Sequence, residues 1–489
     1  MQQSTYIDLF CGCGGFSLGM ERAGFKGLAA IDFNKEAIQV FKTNFPQIPH
    51  ILDADLTKFA PEDLAAILKT RFVDIIVGGP PCQGFSVVRQ ADGSNNGQRI
   101  VADPRRQLYK EFFKFVSFFR PKIFIMENVL GIRSAEGGAY YIKVQEEARS
   151  LGYRISPRIE EAIKLGVPQK RRRQLFIGTR SDLPVYFTES IKAVKRASAH
   201  PTLGAAIMDL PKLAAGGGLE ETKYNLARRA KFLKTYDGHY LFDVLEVDKA
   251  KTLTAHRARP HSDRDIRDFR LLREGENSKD AMDRGVLFNF PYDKTSFKDR
   301  FTRQSRHKPC STIVAHMSRD GLMFIHPKQD RSLTPREAAR VQSFPDWFLF
   351  PVARTSQFKM IGNAVPPLIG EAVGNAIKSF IQKCSNTTPK AAKILPTSTT
   401  EQLEKLDNQT FLQIWNNTLL ANPNLHPDGA IEPKQSIAID PNGVAYLSQS
   451  GWPVDSQKIA KEAHRRYTNR KITSEELYPA LQGSIESTS

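Results

Sequence analysis

A cysteine at the tip of a rigid turn is the group in this 489-residue chain best placed to act as a nucleophile. The turn, Gly78-Gly79-Pro80-Pro81-Cys82-Gln83-Gly84-Phe85-Ser86, follows the apolar run Asp74–Val77. Two glycines and two prolines fix the chain there and present one thiol. A structural cysteine would sit inside an apolar run, so a nucleophile is the better reading. Glu127 follows a second apolar run, Ile123–Met126, and precedes Asn128-Val129. A carboxyl partly enclosed at such a place can act as an acid; a capping carboxylate is the plainer alternative. In Gln169-Lys170-Arg171-Arg172-Arg173 a basic run enters the apolar Leu175-Phe176-Ile177. Basic runs are usually only solvated faces. A strand's period of two, however, puts Gln169, Arg171 and Arg173 on one side, where three long polar side chains could hold a phosphate or a base edge.

A further constellation opens the chain. Asp8-Leu9-Phe10-Cys11-Gly12-Cys13-Gly14-Gly15-Phe16 runs from an apolar segment through glycines into a helical pattern. Glycines let a ligand approach the backbone, and a helix start offers free N–H groups. The spacing is not the G-x-G-x-x-G of dinucleotide sites, and a plain tight turn would use the same residues. Asp32 ends the next apolar run, where a carboxylate can take ribose hydroxyls, and Asp55 follows the third strand. Three adjacent strand ends with polar residues suggest a nucleoside-bearing cofactor.

The elements that must position these groups are legible up to about residue 180. Tyr6–Phe10, Leu28–Ile31, Val73–Val77, Ile123–Met126 and Leu175–Ile177 read as buried strands. Ala37, Val40, Phe41 and Phe45 recur at helical spacing, as do Leu64, Ile67 and Leu68 after Pro61; Asp103-Pro104 reads as a helix start and Gly24 as a helix end. Strand–helix alternation predicts a doubly wound, mostly parallel sheet with helices on both faces. From 185 to 315 the rhythm is lost, and a smaller loop-rich domain is expected. Order returns with the capping box Thr334-Pro335-Arg336-Glu337. The division expected is 1–184 catalytic core, 185–315 inserted domain, 316–384 a segment returning to the core, and 385–489 a Ser/Thr/Pro-rich linker with an appended extension.

Composition limits the function classes. Lys and Arg number 70 against 52 Asp and Glu, a net charge of +18, while residues 381–489 hold 11 of each sign. The basic body suggests a polyanion partner, nucleic acid first; a solubility charge is the bland alternative. No apolar run is long enough to span a membrane. The N-terminus lacks the features of a secretory signal. Five cysteines without a C-x-x-C pair argue against a disulfide scaffold and a structural metal, and for a reducing compartment. A cytoplasmic, nucleoid-associated monomer without metal is expected.

Taken together, the segments resemble the DNA cytosine-5 methyltransferases, over about residues 4–380. The ordered blocks are Asp8–Gly15, Asp32, Asp55-Leu56, Pro80-Pro81-Cys82-Gln83, the Asp103–Leu108 helix start, Glu127-Asn128-Val129, Gln169-x-Arg171-x-Arg173, Arg331–Pro345 and Gly362-Asn363-Ala364-Val365-Pro366-Pro367. The resemblance implies an S-adenosylmethionine-dependent fold and methyl transfer to carbon 5 of a cytosine flipped out of a specific double-stranded DNA site. It implies Cys82 as nucleophile, Glu127 as acid, and Arg171 and Arg173 as holders of the extruded nucleotide. The cofactor would meet Asp8, Phe10, Gly12, Gly14, Gly15, Asp32, Phe33, Asp55, Leu56, Pro81, Leu108, Asn363 and Val365. DNA would meet Gln83, Ser86, Gln169, Arg171 and Arg173. Val87 to Val101 would form a closing loop, and 185–315 the target-recognition domain. A cognate restriction endonuclease acting on the same site is a further expectation. An RNA cytosine methyltransferase and a DNA-binding regulator without turnover are the alternatives. The 381–489 extension lies outside the resemblance.

Overall fold

The computed structural model describes residues 3–81, 107–197, 199, 201–288, 301–386 and, in the tail, 407, 408, 411, 412, 462, 465, 466, 469 and 471. Seven strands form one sheet: β1 (Thr5–Leu9), β2 (Lys26–Asp32), β3 (His50–Asp53), β4 (Ile75–Gly78), β5 (Ile123–Asn128), β6 (Tyr153–Glu161) and β7 (Arg172–Arg180). Their order is β3-β2-β1-β4-β5-β7-β6. β1 to β5 pair in parallel, and β7 runs antiparallel to both β5 and β6. This is the mostly parallel, doubly wound sheet expected from the alternation. Helices cover both faces, which is why β4 and the first residues of β5 read as unbroken apolar runs.

The period of two along each strand divides the core into two layers. Tyr6, Ala30, Ile75, Val77, Ile123, Ile125, Leu175 and Ile177 point to one face. Ile7, Leu9, Ala29, Ile31, Ile76, Phe124, Met126 and Phe176 point to the other. Phe112, Phe113, Phe115 and Val116 of the helix Leu108–Phe119 pack on the second face. The first face is covered by the helix Gly15–Arg22 and by the helix Pro367–Asn386, from opposite ends of the core sequence. These two helices lie so close that a Cβ on Gly19 would stand 2.4 Å from the Glu371 nitrogen and 2.5 Å from Gly370 Cα.

β3 was expected only as the strand that precedes Asp55, and β6 was not expected. β3 has only four residues, and β6 is a half-buried edge strand that carries Pro157 among charged residues. The Asp103-Pro104 helix start and the Val87 to Val101 loop fall outside the described residues.

Between residues 185 and 315 the structure is loop-rich, with short helices at Leu203–Ile207, Leu226–Phe232, Asp263–Leu271 and Ser278–Asp283. Its apolar residues divide in two. Leu203, Ile207, Tyr240, Leu241, Val244 and Leu253 join the main core alongside Ala338, Ala339 and Val341. Phe269, Leu272, Ala281, Phe288, Phe301 and Ile325 make a small cluster of their own. The helix Pro335–Val341 is buried on every side, charges included. Its capping box forms as expected, with Thr334 Oγ1 accepting from the Glu337 nitrogen and the Thr334 nitrogen donating to Glu337 Oε2. Each buried charge is paired: Glu337 with Arg331 at 2.7 Å, and Arg340 with Asp209 at 2.6 Å and Asp346 at 2.5 Å.

In the tail, Arg466 is buried against the Phe411 ring at 4.3 Å, pairs with Glu462 at 2.6 Å and donates to Asn408 Oδ1 at 2.8 Å. No helix of the described residues is long and apolar enough to cross a membrane.

The contact between the first and last helices leaves no room for a methyl group. Gly19→Ala must push Pro367–Asn386 outward, and its unfolding free energy in urea is expected to fall by about 1–3 kcal/mol, the usual cost of overpacking. Unchanged stability would mean that the helices separate freely.

Candidate active site

At the carboxyl end of β1 the chain turns sharply through Phe10, Gly12 and Gly14, all at positive φ. The carboxylate of Asp32, at the end of β2, fixes this turn. Its Oδ2 accepts from the Gly12 nitrogen and its Oδ1 from the Asn34 nitrogen, both at 2.9 Å. Burial pushes the Asp32 carboxyl above its ordinary value. Gly12 faces open space, and the adjoining Phe33 ring is 65% exposed, unusual for a side chain beside a buried sheet. Asp55 is exposed just beyond β3. Thr57 donates to it from its backbone nitrogen at 3.0 Å and its hydroxyl at 2.8 Å, and holds its carboxyl below the usual range. Gly15 packs on Val365, whose carbonyl oxygen would lie 2.2 Å from a Cβ added there. The Gly362–Val365 segment thus meets the glycine turn from the far end of the chain. Asn363 is exposed, and Phe10 and Leu108 are half-buried.

Two residues assigned to the cofactor occupy interior positions. Leu56 belongs to the core beneath Asp55. Asp8 is 1% exposed and accepts from Ser17 Oγ at 2.6 Å, so it anchors the glycine turn to the helix Gly15–Arg22. Burial, with the Asp32 carboxylate adding to it, raises its carboxyl from 3.8 to about 7.

The second half of the site lies at the carboxyl ends of β4 and β5. Glu127 opposes Leu175 in the β5/β7 register, so Arg173 is its diagonal neighbour on the same face. Arg173 Nε meets Glu127 Oε1 at 2.8 Å. The other carboxylate oxygen, Oε2, lies 3.3 Å from where a Cβ on Gly79 would stand. Glycine at 79 therefore lets the turn that leads to Cys82 run directly past the carboxylate. Asn128 Nδ2 donates to the Pro80 carbonyl at 3.3 Å and ties that turn to β5. Pro81 is the last described residue before the gap; Cys82, Gln83 and Ser86 lie outside the described residues. Cys11, Cys13 and Cys310 are buried, and burial raises each thiol, Cys13 to about 12. Such thiols are poor nucleophiles at neutral pH.

Arg173 lies in β7 and meets Glu127, whereas Gln169 and Arg171 precede the strand. Gln169 and Arg171 are 0% and 1% exposed. Arg171 donates to the carbonyls of Ile313 at 2.8 Å, Gly362 at 3.3 Å and Ala364 at 2.9 Å. Gln169 accepts from the Ile313 nitrogen and donates to Gln342 Oε1. Gln342, which the sequence pattern did not single out, donates in turn to the Ile361 and Ala364 carbonyls. The only advance sign of it is its position one residue past a capped, buried helix.

The family model of C-5 cytosine-specific DNA methylases matches residues 4–379. A type II methyltransferase of Desulfomicrobium norvegicum, M.DdeI, is 36% identical over 397 residues, covering 77% of this chain and 89% of the relative. M.AgeI of Thalassovita gelatinovora is 34% identical, covering 77% of this chain and 99% of the relative. Among solved structures, an E. coli prophage-encoded protein described as a DNA modification methyltransferase is 27% identical, with a TM-score of 0.60 over 78% of this chain and all of that one.

The buried Asp8 makes stability depend on pH in a defined sense. Its folded value of about 7 exceeds the unfolded one near 3.8, so folding favours the protonated form. The contribution is complete below about pH 4 and disappears as pH rises through 7, at about 1.4 kcal/mol per pH unit. Denaturant titrations of wild type and Asp8→Asn should therefore show the wild type losing ground against the variant between pH 5 and 7, and no further above 8. A difference independent of pH would mean that Asp8 stays ionised.

Proposed function

The chain belongs to the C-5 cytosine-specific DNA methylases and transfers a methyl group to carbon 5 of cytosine in DNA; we propose that the donor is S-adenosylmethionine and the substrate a cytosine flipped out of a specific double-stranded sequence. The observation that carries this reading is the Glu127–Arg173 pair beside the Gly78–Pro81 turn, at the same sheet end as the Gly12–Asp32 pocket.

The pocket suits the donor. Asp32 can accept from ribose hydroxyls while it holds the glycine turn, the exposed Phe33 ring offers a flat apolar surface to a base, and Asn363 and Val365 close the far side. S-adenosylmethionine would supply an electrophilic methyl on its sulfonium. The residues of the chain would do the rest. Carbon 5 of cytosine is a poor nucleophile until a thiolate, Cys82, adds to carbon 6. Glu127 would hydrogen-bond or protonate ring nitrogen 3 and stabilise the adduct, with Arg173 fixing the orientation of the carboxyl. Once carbon 5 carries the methyl group, loss of its proton expels Cys82 and restores the ring. A base inside a duplex cannot be reached in this way, so the cytosine must leave the stack. The type II relatives further suggest the modification arm of a restriction system, with the cognate endonuclease acting on the same site. The 185–315 region would read the bases. A monomer is part of the same proposal.

A duplex carrying 5-fluorocytosine at the methylated position tests the mechanism, because fluorine blocks the final proton loss. Wild type should form a covalent adduct that survives denaturing electrophoresis, and Cys82→Ser should form none. Glu127→Gln should lower turnover by roughly 10²–10⁴-fold, the usual worth of a positioned acid. An adduct on the serine variant would remove Cys82 from the reaction, and wild-type turnover by the glutamine variant would make the carboxyl purely structural.

A further inference from the structure

The buried side chains Gln169, Arg171 and Gln342 close a ring of hydrogen bonds that no step of the methyl transfer uses. Three segments distant in sequence meet in it. The first is the entry to β7, which carries Arg173. The second is the exit of the 185–315 insert at Ile313. The third is Ile361–Ala364, which carries the exposed Asn363 and leads into Val365, packed against Gly15. Arg171 alone reaches carbonyls on two of them, Ile313 on one and Gly362 and Ala364 on the other. Gln169 takes the Ile313 nitrogen at 3.2 Å and the Val341 carbonyl at 3.2 Å. Gln342 donates to Ile361 at 2.5 Å and Ala364 at 3.3 Å.

The chemistry of this arrangement is specific. Carbonyls at a helix end have no partner within the helix, and the helix Arg354–Asn363 ends here. A guanidinium is a planar fork that can serve several such oxygens at once, where an ammonium serves them as a point charge. At 1% exposure Arg171 has no surface to offer a nucleotide. We propose that Arg171 is a positioning residue: it locks the Ile361–Ala364 segment onto the β7 strand, and so holds the wall formed by Asn363 and Val365 at a fixed distance from Glu127 and Arg173. The inference rests on the reading of the Gly12–Asp32–Asn363 pocket as the S-adenosylmethionine site. The nucleotide is left to Arg173, and Arg171 acts on methyl transfer only through the wall it holds.

Calorimetric titration of S-adenosylmethionine into the full chain, paired with duplex DNA binding by anisotropy, separates the possibilities. Wild type must first bind S-adenosylmethionine; if it does not, the reading of the pocket fails before the role of Arg171 is addressed. Arg171→Lys should weaken S-adenosylmethionine binding by roughly tenfold or more, because two carbonyls are left without a strong partner, while affinity for duplex DNA stays within about twofold. In an Asn363→Ala background the same change should cost little further, since the wall it positions has already lost its contact. Gln342→Met, which removes the ties to Ile361 and Ala364 while leaving Arg171 in place, should weaken S-adenosylmethionine in the same sense, and it serves where Arg171→Lys does not fold. Undiminished S-adenosylmethionine binding by a folded variant, a loss confined to DNA, or full additivity with Asn363→Ala would each overturn the proposal.

Discussion

The antiparallel pairing of β5 with β7 is the constraint on which the site depends. A parallel neighbour would bring the next strand's carboxyl end beside Glu127. The reversed strand brings its amino end instead, together with the basic run that precedes it. Because Glu127 opposes Leu175, the residue two places back along β7, Arg173, lies on the carboxylate's face. A slip of one residue would turn all of these side chains to the opposite face of the sheet. The apolar residues Leu175, Phe176 and Ile177, divided between the two core layers, hold the register. The placement of the Glu127 carboxylate beside the Arg173 guanidinium is therefore a consequence of core packing.

The net charge of +18 has to be divided before it is assigned to a partner. Several of the arginines are interior structural members. Arg331, Arg336 and Arg340 are fully buried, and Arg171 and Arg303 nearly so. Each serves carbonyls or carboxylates of its own chain: Arg336 the oxygens of Thr254, Pro345 and Phe348, Arg303 those of His326, Phe269 and Asp330. Buried guanidiniums, which can satisfy several acceptors at once, tie the loops of the insert to the helix Pro335–Val341. Attraction for DNA must come from the exposed remainder.

What the sequence disclosed follows from the same physics. The mostly parallel sheet was legible because five of its strands are dominated by apolar residues, and the capping box at Thr334 because its two hydrogen bonds need only local residue types. β3, four residues long, was marked only by the Asp55 beyond it, and β6 was hidden because it keeps a polar, proline-bearing pattern that an edge position tolerates. At the site, Asp32, Glu127 and Arg173 stand as strand ends required. Asp8, given to the cofactor by the resemblance, and Gln169, set beside Arg173 by strand periodicity, both turn inward; periodicity says which face a residue shares and not what lies above that face. Over Gln169 it is Ile313, Val341 and Gln342, far along the chain, that make the contacts. No local pattern carries that information, and Gln342 belongs to the same class.

That cover also explains how so irregular an insert can interrupt the core without disturbing it. Its exit runs beside the entry to β7: the Lys170 nitrogen donates to the Cys310 carbonyl at 2.8 Å, the Cys310 nitrogen to the Pro168 carbonyl at 2.9 Å, and Thr312 Oγ1 to the Lys170 carbonyl at 2.7 Å. The chain therefore leaves the sheet at the end of β7 and is returned to the start of the same strand before it builds the last helices. Whatever lies between those two points is held to the core at its exit by backbone hydrogen bonds, which do not depend on side-chain identity. The loops of the insert can then vary while Glu127, Arg173 and the Gly362–Val365 segment keep their relation, because the path of the backbone, and not the insert's own side chains, returns the chain to the start of β7.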